Sequence, residues 1–223
     1  MRMQTGTREI IGGFEEHEGT RTEGGPFMTN EILFSGFGGQ GVLSMGMTLA
    51  YAGMIEGKEV SWMPSYGPEM RGGTANCIVI VSSFRISSPI VTTFDSAIIL
   101  NQPSLEKFQP AMKKQGLLLY EQSSVINGPS RGDIESLAVP AVQEALRLGK
   151  RQVANMVMLG AFLTRSPIVG FDSVLQALKK TLPERHHHLM PLNEQALEVG
   201  RRFAQSPRER VSGEPRTVLD TER

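Results

Sequence analysis

The strongest constraint on this chain is a strand-like apolar run that ends in a cluster of glycines. Residues 31–35 are followed by four glycines within six positions, and a helix-forming segment begins at Val42. Glycine has no Cβ and adopts positive φ without strain, so the backbone of such a turn can approach a ligand or a packed element closely. A buried strand that passes into a helix through this kind of turn is typical of open α/β folds.

The glycines within residues 36–41 satisfy the G-x-G-x-x-G spacing, in which N–H groups at a helix start can face an anion. A dinucleotide site also requires a carboxylate at the end of the second strand, about twenty residues further on. That strand closes in Pro64 without an acid, while Glu56 and Glu59 come too early. Two interpretations therefore remain open: a ligand-binding loop, and a turn that only lets the first helix pack tightly on the sheet.

Hydrophobic periodicity and turn residues predict alternating strands and helices along the chain. The later predicted strands are residues 60–63, 74–82, 84–91, 95–100, 116–120 and 138–140, with 74–82 and 84–91 forming a hairpin around Ser83. The predicted helices are residues 42–55, 104–112, 141–148, 153–164, 171–182 and 192–204. This order predicts a single three-layer α/β domain with a mixed, largely parallel sheet.

Composition limits the partners that the chain can recognise. Its 223 residues are enough for one substantial core, and 23 Lys and Arg residues balance 23 Asp and Glu residues. Without a net field, neither nucleic acid nor an anionic membrane is an expected partner. The apolar runs are too short to cross a bilayer and the start lacks the apolar core of a signal peptide, so we expect a cytoplasmic protein.

Cysteine and histidine usage argues against a metal centre in this chain. Cys77 is the only cysteine, whereas a self-contained iron–sulfur cluster needs about four thiolates. It lies in a strand-like run and is expected to be a buried packing thiol. The three consecutive histidines at 186–188 do not face one another at that spacing, so we expect a solvated turn and no metal site.

Both ends of the chain are expected to lie outside the folded domain. Residues 1–27 and 206–223 are rich in Gly, Pro and charged side chains and carry little apolar periodicity, which predicts disordered tails. The domain itself is predicted over residues 28–205, and Met28 is a candidate for the true start of the protein.

Three polar features follow predicted strand ends, where ligands collect in open α/β sheets. The glycine turn follows the first strand, a Pro- and Gly-rich loop with one acid and one base follows the second, and Asn101 follows a later one. Arg71 could bind a phosphate or carboxylate, or could only pair with Glu69 and fix the loop. The candidate ligand or interface residues are Gly38, Gly39, Gln40, Gly41, Glu69, Arg71, Gly72 and Asn101.

Several runs together resemble the gamma subunit of 2-oxoacid:ferredoxin oxidoreductases. They are FSGFGGQGV at 34–42, SYGPEMRGGTANC at 65–77, Ser88-Pro89, Asp95 and LNQPSL at 100–105. The resemblance spans residues 30–202, and the second run is too specific to arise easily by chance. Its form is more similar to the 2-oxoglutarate type than to the pyruvate or indolepyruvate types.

The resemblance implies a fold like the gamma subunit, or domain III, of pyruvate-ferredoxin oxidoreductase, and a role in oxidative decarboxylation. In that reaction 2-oxoglutarate, coenzyme A and oxidised ferredoxin give succinyl-CoA, carbon dioxide and reduced ferredoxin. It implies alpha and beta subunits as partners, in some enzymes a ferredoxin-like delta subunit, and ferredoxin as electron acceptor. Thiamine diphosphate, Mg²⁺ and iron–sulfur clusters are expected in the partner subunits, so the chain alone should carry no cofactor and be inactive.

What the resemblance leaves for this chain is to shape the active-site edge or to receive the phosphates of coenzyme A, and to dock partner subunits. Two alternatives stay open. One is a free-standing nucleotide-binding or dehydrogenase module that uses the glycine turn. The other is the equivalent subunit of a pyruvate, branched-chain 2-oxoacid or indolepyruvate enzyme.

Overall fold

A computed structural model of the chain describes residues 29–65 and 74–206, which form six strands and six α-helices. The strands are β1 (Thr29–Phe37), β2 (Glu59–Ser65), β3 (Thr74–Ser82), β4 (Phe94–Ile99), β5 (Met112–Glu121) and β6 (Glu135–Val139). The helices are α1 (Val42–Ile55), α2 (Gln102–Phe108), α3 (Ala141–Arg147), α4 (Ala154–Arg165), α5 (Phe171–Thr181) and α6 (Met190–Gln205). None of these helices has the length and apolarity needed to cross a bilayer.

The strands form one sheet in the order β2-β3-β1-β4-β5-β6. β1, β4, β5 and β6 are parallel neighbours, whereas β3 runs antiparallel to both β1 and β2. β3 is therefore the only one of the described strands that runs against the rest. This arrangement confirms the predicted mixed, largely parallel sheet.

The predicted hairpin of residues 74–82 with 84–91 is wrong. Residues 83–93 contain no strand, and β3 pairs instead with β2 on one side and β1 on the other. Alternating apolar residues suggested a strand there, yet Phe84 and Ile90 are exposed. Both edges of β3 are already occupied, and Pro89 cannot donate a ladder hydrogen bond, so the segment has no partner strand to join.

The predicted helix 104–112 is also too long. α2 ends at Phe108, a 3-10 turn covers Gln109–Ala111, and Met112 begins β5. Pro110 has no N–H to continue the helical pattern, which explains why the turn tightens and the chain then extends.

Alternate side chains of the strands enter two separate cores. Ile32 and Phe34 of β1 join the larger core beneath α1, α3, α4, α5 and α6, whereas Leu33 joins a smaller core with Leu105 of α2 and Phe94 of β4. The domain thus has three layers, with one thick helical layer and one thin layer made by α2 and loops. The predicted fold class is confirmed.

Helix α1 lies unusually close to the sheet because Gly46 faces β3. A Cβ at this position would collide with the Sγ of Cys77 and lie 3.2 Å from Val79. Cys77 is fully buried, and burial raises the pKa of its thiol to about 12. The predicted packing role of this thiol is confirmed.

The carboxylate of Glu56 joins the end of α1 to the start of α5. Its Oε1 accepts a hydrogen bond from the N–H of Gly170 (2.6 Å), and its Oε2 pairs with the Nζ of Lys58 (2.9 Å). Lys58 also donates to the carbonyl of Ile168. Burial by itself raises the pKa of Glu56, but hydrogen bonds from Gly170, Lys58 and Ser173 outweigh it and hold the pKa below its ordinary value.

We predict that Glu56→Gln lowers the free energy of unfolding at pH 7 by about 1 kcal/mol, because the neutral amide keeps an acceptor for Gly170 but loses the charge that strengthens the bonds to Gly170 and Lys58. Because the folded pKa is lowered, the carboxylate stabilises the protein fully above its unfolded pKa of roughly 4.3, and this contribution is lost as pH falls through the folded pKa. Urea unfolding at pH 7 and at several values below pH 4.5 measures the difference from wild type. The control Glu194→Gln makes the same charge change at an exposed site on α6. A difference that does not shrink with acidification would contradict the assignment.

Candidate functional site

The carboxyl ends of β1, β2 and β4 meet at one edge of the sheet, which we call the carboxyl edge. The glycine turn follows β1, and Asn101 comes two residues after the end of β4 at the same edge. The residues that flank segment 66–73 also lie there, because Ser65 pairs with Asn76 and Thr74 pairs with Phe37. Glu69, Arg71 and Gly72 themselves lie outside the described residues, so their roles stay predictions.

Gln40 ties the turn to the neighbouring strand. Its Oε1 accepts a hydrogen bond from the N–H of Phe37 (2.5 Å), and its Nε2 donates to the carbonyl of Leu100 (3.1 Å). Both ends of the amide are thus bonded to backbone at the ends of β1 and β4. Gln40 therefore holds the turn in place, and contact of its side chain with a ligand stays a prediction.

The glycines of the turn occupy their positions for different physical reasons. Gly39 and Gly41 have φ of +87° and +78°, which favours glycine at both positions. A Cβ on Gly41 would also collide with Asn155, whereas a Cβ on Gly38 or Gly39 would meet nothing within 4 Å. Tight packing thus explains Gly41, but it does not explain Gly38, which lies on open surface without a positive φ. The surface at Gly38 and Gly39 is accessible to a closely approaching group.

Asn101 is buried and caps α2. Its Oδ1 accepts a hydrogen bond from the N–H of Ser104 (2.9 Å), and the residue is 1% exposed. The Ser104 hydroxyl in turn accepts from the Oγ of Ser35 (2.8 Å). Asn101 therefore has a structural role at the start of α2, and its predicted role as a ligand is untested.

A cavity of about 220 Å³ opens at the carboxyl edge beside the glycine turn. Gly39, Gln40 and Leu100 line one side, and residues from β5 and the start of α4 line the other. Two side chains on that far side, Glu121 and Arg151, were missed by the sequence analysis. Glu121 ends β5, so the rule that ligands collect at strand ends could have found it; Arg151 precedes a helix and had no such signal.

Glu121 is buried, and its oxygens are occupied by neighbouring donors. Its Oε2 accepts from the Oγ of Ser123 and the N–H of Ser124 (both 2.7 Å), and its Oε1 accepts from the N–H of Val142 at the start of α3 (3.2 Å). Glu121 therefore fixes the wall of the cavity. Arg151 is exposed and, within the described part of the chain, makes no side-chain hydrogen bond or ion pair. It is available to a carboxylate or phosphate.

Residue types that bind metals are spread out in the described part of the chain. Across residues 29–65 and 74–206, no three His, Cys, Asp or Glu side chains converge in a way that could hold an ion. The Cys77 thiol is buried and its pKa is raised, which disfavours the thiolate that iron binds. His186, His187 and His188 lie in a short 3-10 segment, Glu184–Leu189, after α5.

The fold and this edge define the class of the protein: an open α/β domain whose carboxyl edge offers a glycine turn, a cavity and an accessible arginine. Comparison with known proteins gives the family. Residues 31–203 match the model described as "Pyruvate ferredoxin/flavodoxin oxidoreductase", and the chain belongs to this family. The resemblance noted from the sequence runs is confirmed at this level.

Two curated relatives carry different substrate names. Ketoisovalerate oxidoreductase subunit VorA of Methanothermobacter thermautotrophicus is 40% identical over 185 residues, which cover 82% of this chain and 37% of that protein. The chain thus spans less than two fifths of the length of this relative. 2-Oxoglutarate synthase subunit KorC of Methanocaldococcus jannaschii is 33% identical over 160 residues, which cover 70% of this chain and 86% of that protein. The predicted 2-oxoglutarate type is therefore not established.

The fold matches almost the whole length of a solved gamma subunit. The keto/oxoacid ferredoxin oxidoreductase gamma subunit of Geobacter sulfurreducens PCA superimposes with a TM-score of 0.68 at 30% identity. The match covers 78% of this chain and 98% of that one. The chain therefore has the fold of this gamma subunit.

We predict that Gln40→Ala lowers the free energy of unfolding by about 1–2 kcal/mol, because it removes two hydrogen bonds that each contribute about 0.5–1.5 kcal/mol. Gln152→Ala is the matched control, since Gln152 lines the same cavity but is exposed. It should change stability by less than about 0.5 kcal/mol. Equal effects of the two substitutions in chemical denaturation would contradict the bridging role of Gln40.

Proposed function

We propose that the chain is the gamma subunit of a 2-oxoacid:ferredoxin oxidoreductase complex. The complex oxidatively decarboxylates a 2-oxo acid, transfers the acyl group to coenzyme A and passes two electrons to ferredoxin. The observation that carries the proposal is the match to gamma-type chains over nearly their whole length, 98% of the Geobacter subunit and 86% of KorC. The alpha and beta subunits, in the cytoplasm, would hold thiamine diphosphate, Mg²⁺ and the clusters; a ferredoxin-like delta subunit is a further partner.

Within that complex, this chain binds and positions without supplying a reacting group. Cys77 is the only cysteine, and its buried thiol with a raised pKa does not suit an iron–sulfur cluster. The carboxylate of Glu121 is occupied by hydrogen bonds from its neighbours. Gly38 and Gly39 leave open backbone at the carboxyl edge, and Arg151 offers a cation beside it. These features support a role in which the edge receives the phosphates of coenzyme A or an acidic group of a partner subunit.

The 2-oxo acid is 2-oxoglutarate in our first proposal, which the match to KorC and the GPEMRGGTANC run support. A branched-chain 2-oxo acid is the second candidate, because the identity to VorA is higher, 40% against 33%. The residues that contact the reacting acid belong to the partner subunits in either case. Selectivity is therefore expected to follow the partners rather than this chain.

Co-expression of this chain with the alpha, beta and delta subunits tests the proposal. We expect the purified complex to reduce ferredoxin with coenzyme A and one 2-oxo acid of a panel that includes 2-oxoglutarate, 2-oxoisovalerate and pyruvate. The chain purified alone should be colourless, hold no thiamine diphosphate and be inactive. If the chain alone instead binds a nucleotide and never co-purifies with larger subunits, the free-standing nucleotide-binding module is the better description.

We predict that Arg71→Ala and Arg151→Ala leave the complex assembled but raise the apparent KM for coenzyme A by roughly tenfold, because each removes a charge-assisted hydrogen bond. Arg71→Lys should retain little of the affinity if the contact is bidentate, since lysine lacks the planar fork. Arg85→Ala, an exposed arginine beyond the opposite end of β3, should leave KM unchanged. If the complex of either variant dissociates on dilution, the substituted arginine belongs to the subunit interface. If both variants have wild-type kinetics, neither Arg71 nor Arg151 belongs to the site.

A further inference from the structure

Helix α1 carries no charged residue along its whole length. One side packs against the sheet and another against α5, where the hydroxyls of Thr48 and Thr181 meet. The remaining side nevertheless exposes Tyr51 (40%) and Met54 (61%), with the half-buried Leu43 and Met47 on the same side. A surface helix normally presents charged and polar residues to water. The outer side of α1 therefore has the composition of a covered surface.

Among the described strands, the neighbouring strand β2 has an open edge. β2 is the outermost strand of the sheet beside β3, and Trp62 on its α1 side is 38% exposed. Pro64 has no N–H to donate to β3. Its pair with Cys77 must therefore be one of the non-hydrogen-bonded pairs of the antiparallel ladder. By alternation, the N–H and C=O groups of Val60 and Trp62 point away from β3 toward this edge. β2 carries neither Lys nor Arg to protect the edge.

We propose that the face formed by α1 and β2 binds a second copy of this chain. β2 of each copy pairs antiparallel about a twofold axis at Trp62, so the two sheets become one. The backbone N–H of Trp62 in each copy then donates to the Trp62 carbonyl of the other copy. The backbone N–H of each Val60 donates to the Pro64 carbonyl of the other copy. The only charge on β2, Glu59, lies opposite Ser65 instead of its own copy, so the pairing carries no like-charge repulsion.

The spacing between the two copies of α1 matches the side chains that they expose. α1 lies over β3, since Gly46 faces Cys77 and Val79. Strands lie about 4.8 Å apart, so three spacings separate the two β3 strands and place the α1 axes ~14 Å apart. Helices in direct contact pack at about 8–10 Å. The wider gap requires long apolar side chains from both copies, which Met47, Tyr51, Met54 and Trp62 supply.

The oligomeric state of the full chain, purified alone, tests the proposal. Light scattering after size exclusion should give a dimer at about 100 μM and a monomer on dilution, as expected for an interface of moderate size. Met54→Lys should weaken the dimer at least tenfold, because it buries an unpaired charge at the interface. Leu146→Lys is the matched control: Leu146 is 59% exposed but lies on α3, and its variant should dimerise like wild type.

Disulfide trapping tests the register. Cysteines at Trp62→Cys would lie opposite one another with Cα atoms about 5.5 Å apart, within disulfide range, and should crosslink on mild oxidation. Ser65→Cys places its two cysteines roughly 20 Å apart and should not crosslink. Because the Trp62 side chain lies against the Cys77 thiol, both variants also carry Cys77→Ala, which excludes a disulfide within one copy.

A wild-type chain that stays monomeric at about 100 μM overturns the proposal, as does a dimer that Met54→Lys leaves intact. If the chain is monomeric and Met54→Lys instead prevents co-purification with larger subunits, the face belongs to a partner subunit and the second-copy proposal is wrong.

Discussion

The two hydrogen bonds of the Gln40 side chain are the contact on which the candidate site depends. They join the N–H of Phe37 at the end of β1 to the carbonyl of Leu100 at the end of β4. This link fixes the glycine turn across two parallel strands, and Gly41 then lets α1 begin against Asn155 of α4. Because the turn is held from both sides, the open backbone at Gly38 and Gly39 is presented in a defined place.

Most polar groups at the carboxyl edge are already used by the fold. Asn101 caps α2, Glu121 holds the start of α3, and the amide of Gln40 bridges two strands. The Nδ2 of Asn101 is buried without a hydrogen-bond partner, whereas the other polar atoms of these three side chains are bonded and make a rigid wall. What stays accessible among the described residues is a positive side chain, Arg151, and glycine backbone. A wall of this kind suits a subunit that positions a substrate while the reacting groups lie elsewhere.

The domain thus offers two surfaces of opposite character. The carboxyl edge carries an exposed cation, Arg151, beside the glycine turn, whereas the face of α1 and β2 is apolar and has Glu59 as its only charged residue. The first suits an anion or an acidic group, because Arg151 is exposed and the surface at Gly38 and Gly39 is open. The second suits a protein surface, because burying Tyr51, Met54 and Trp62 removes apolar area from water. A domain with both surfaces can bind a ligand at one and assemble through the other.

The sequence by itself determined most of the local elements and the family. β3 was predicted with the bounds that the structure has, and so was α1 with its end at Gly57, because strand alternation, helical periodicity and a glycine stop are read from neighbouring residues. The tertiary structure decided which strands pair and which side chains share a cavity. β3 joined β1 and β2 instead of residues 84–91, and Arg151 came beside the glycine turn from a distant helix start. Strand edges are filled by competition among segments far apart in the chain, and a local pattern carries no record of that competition.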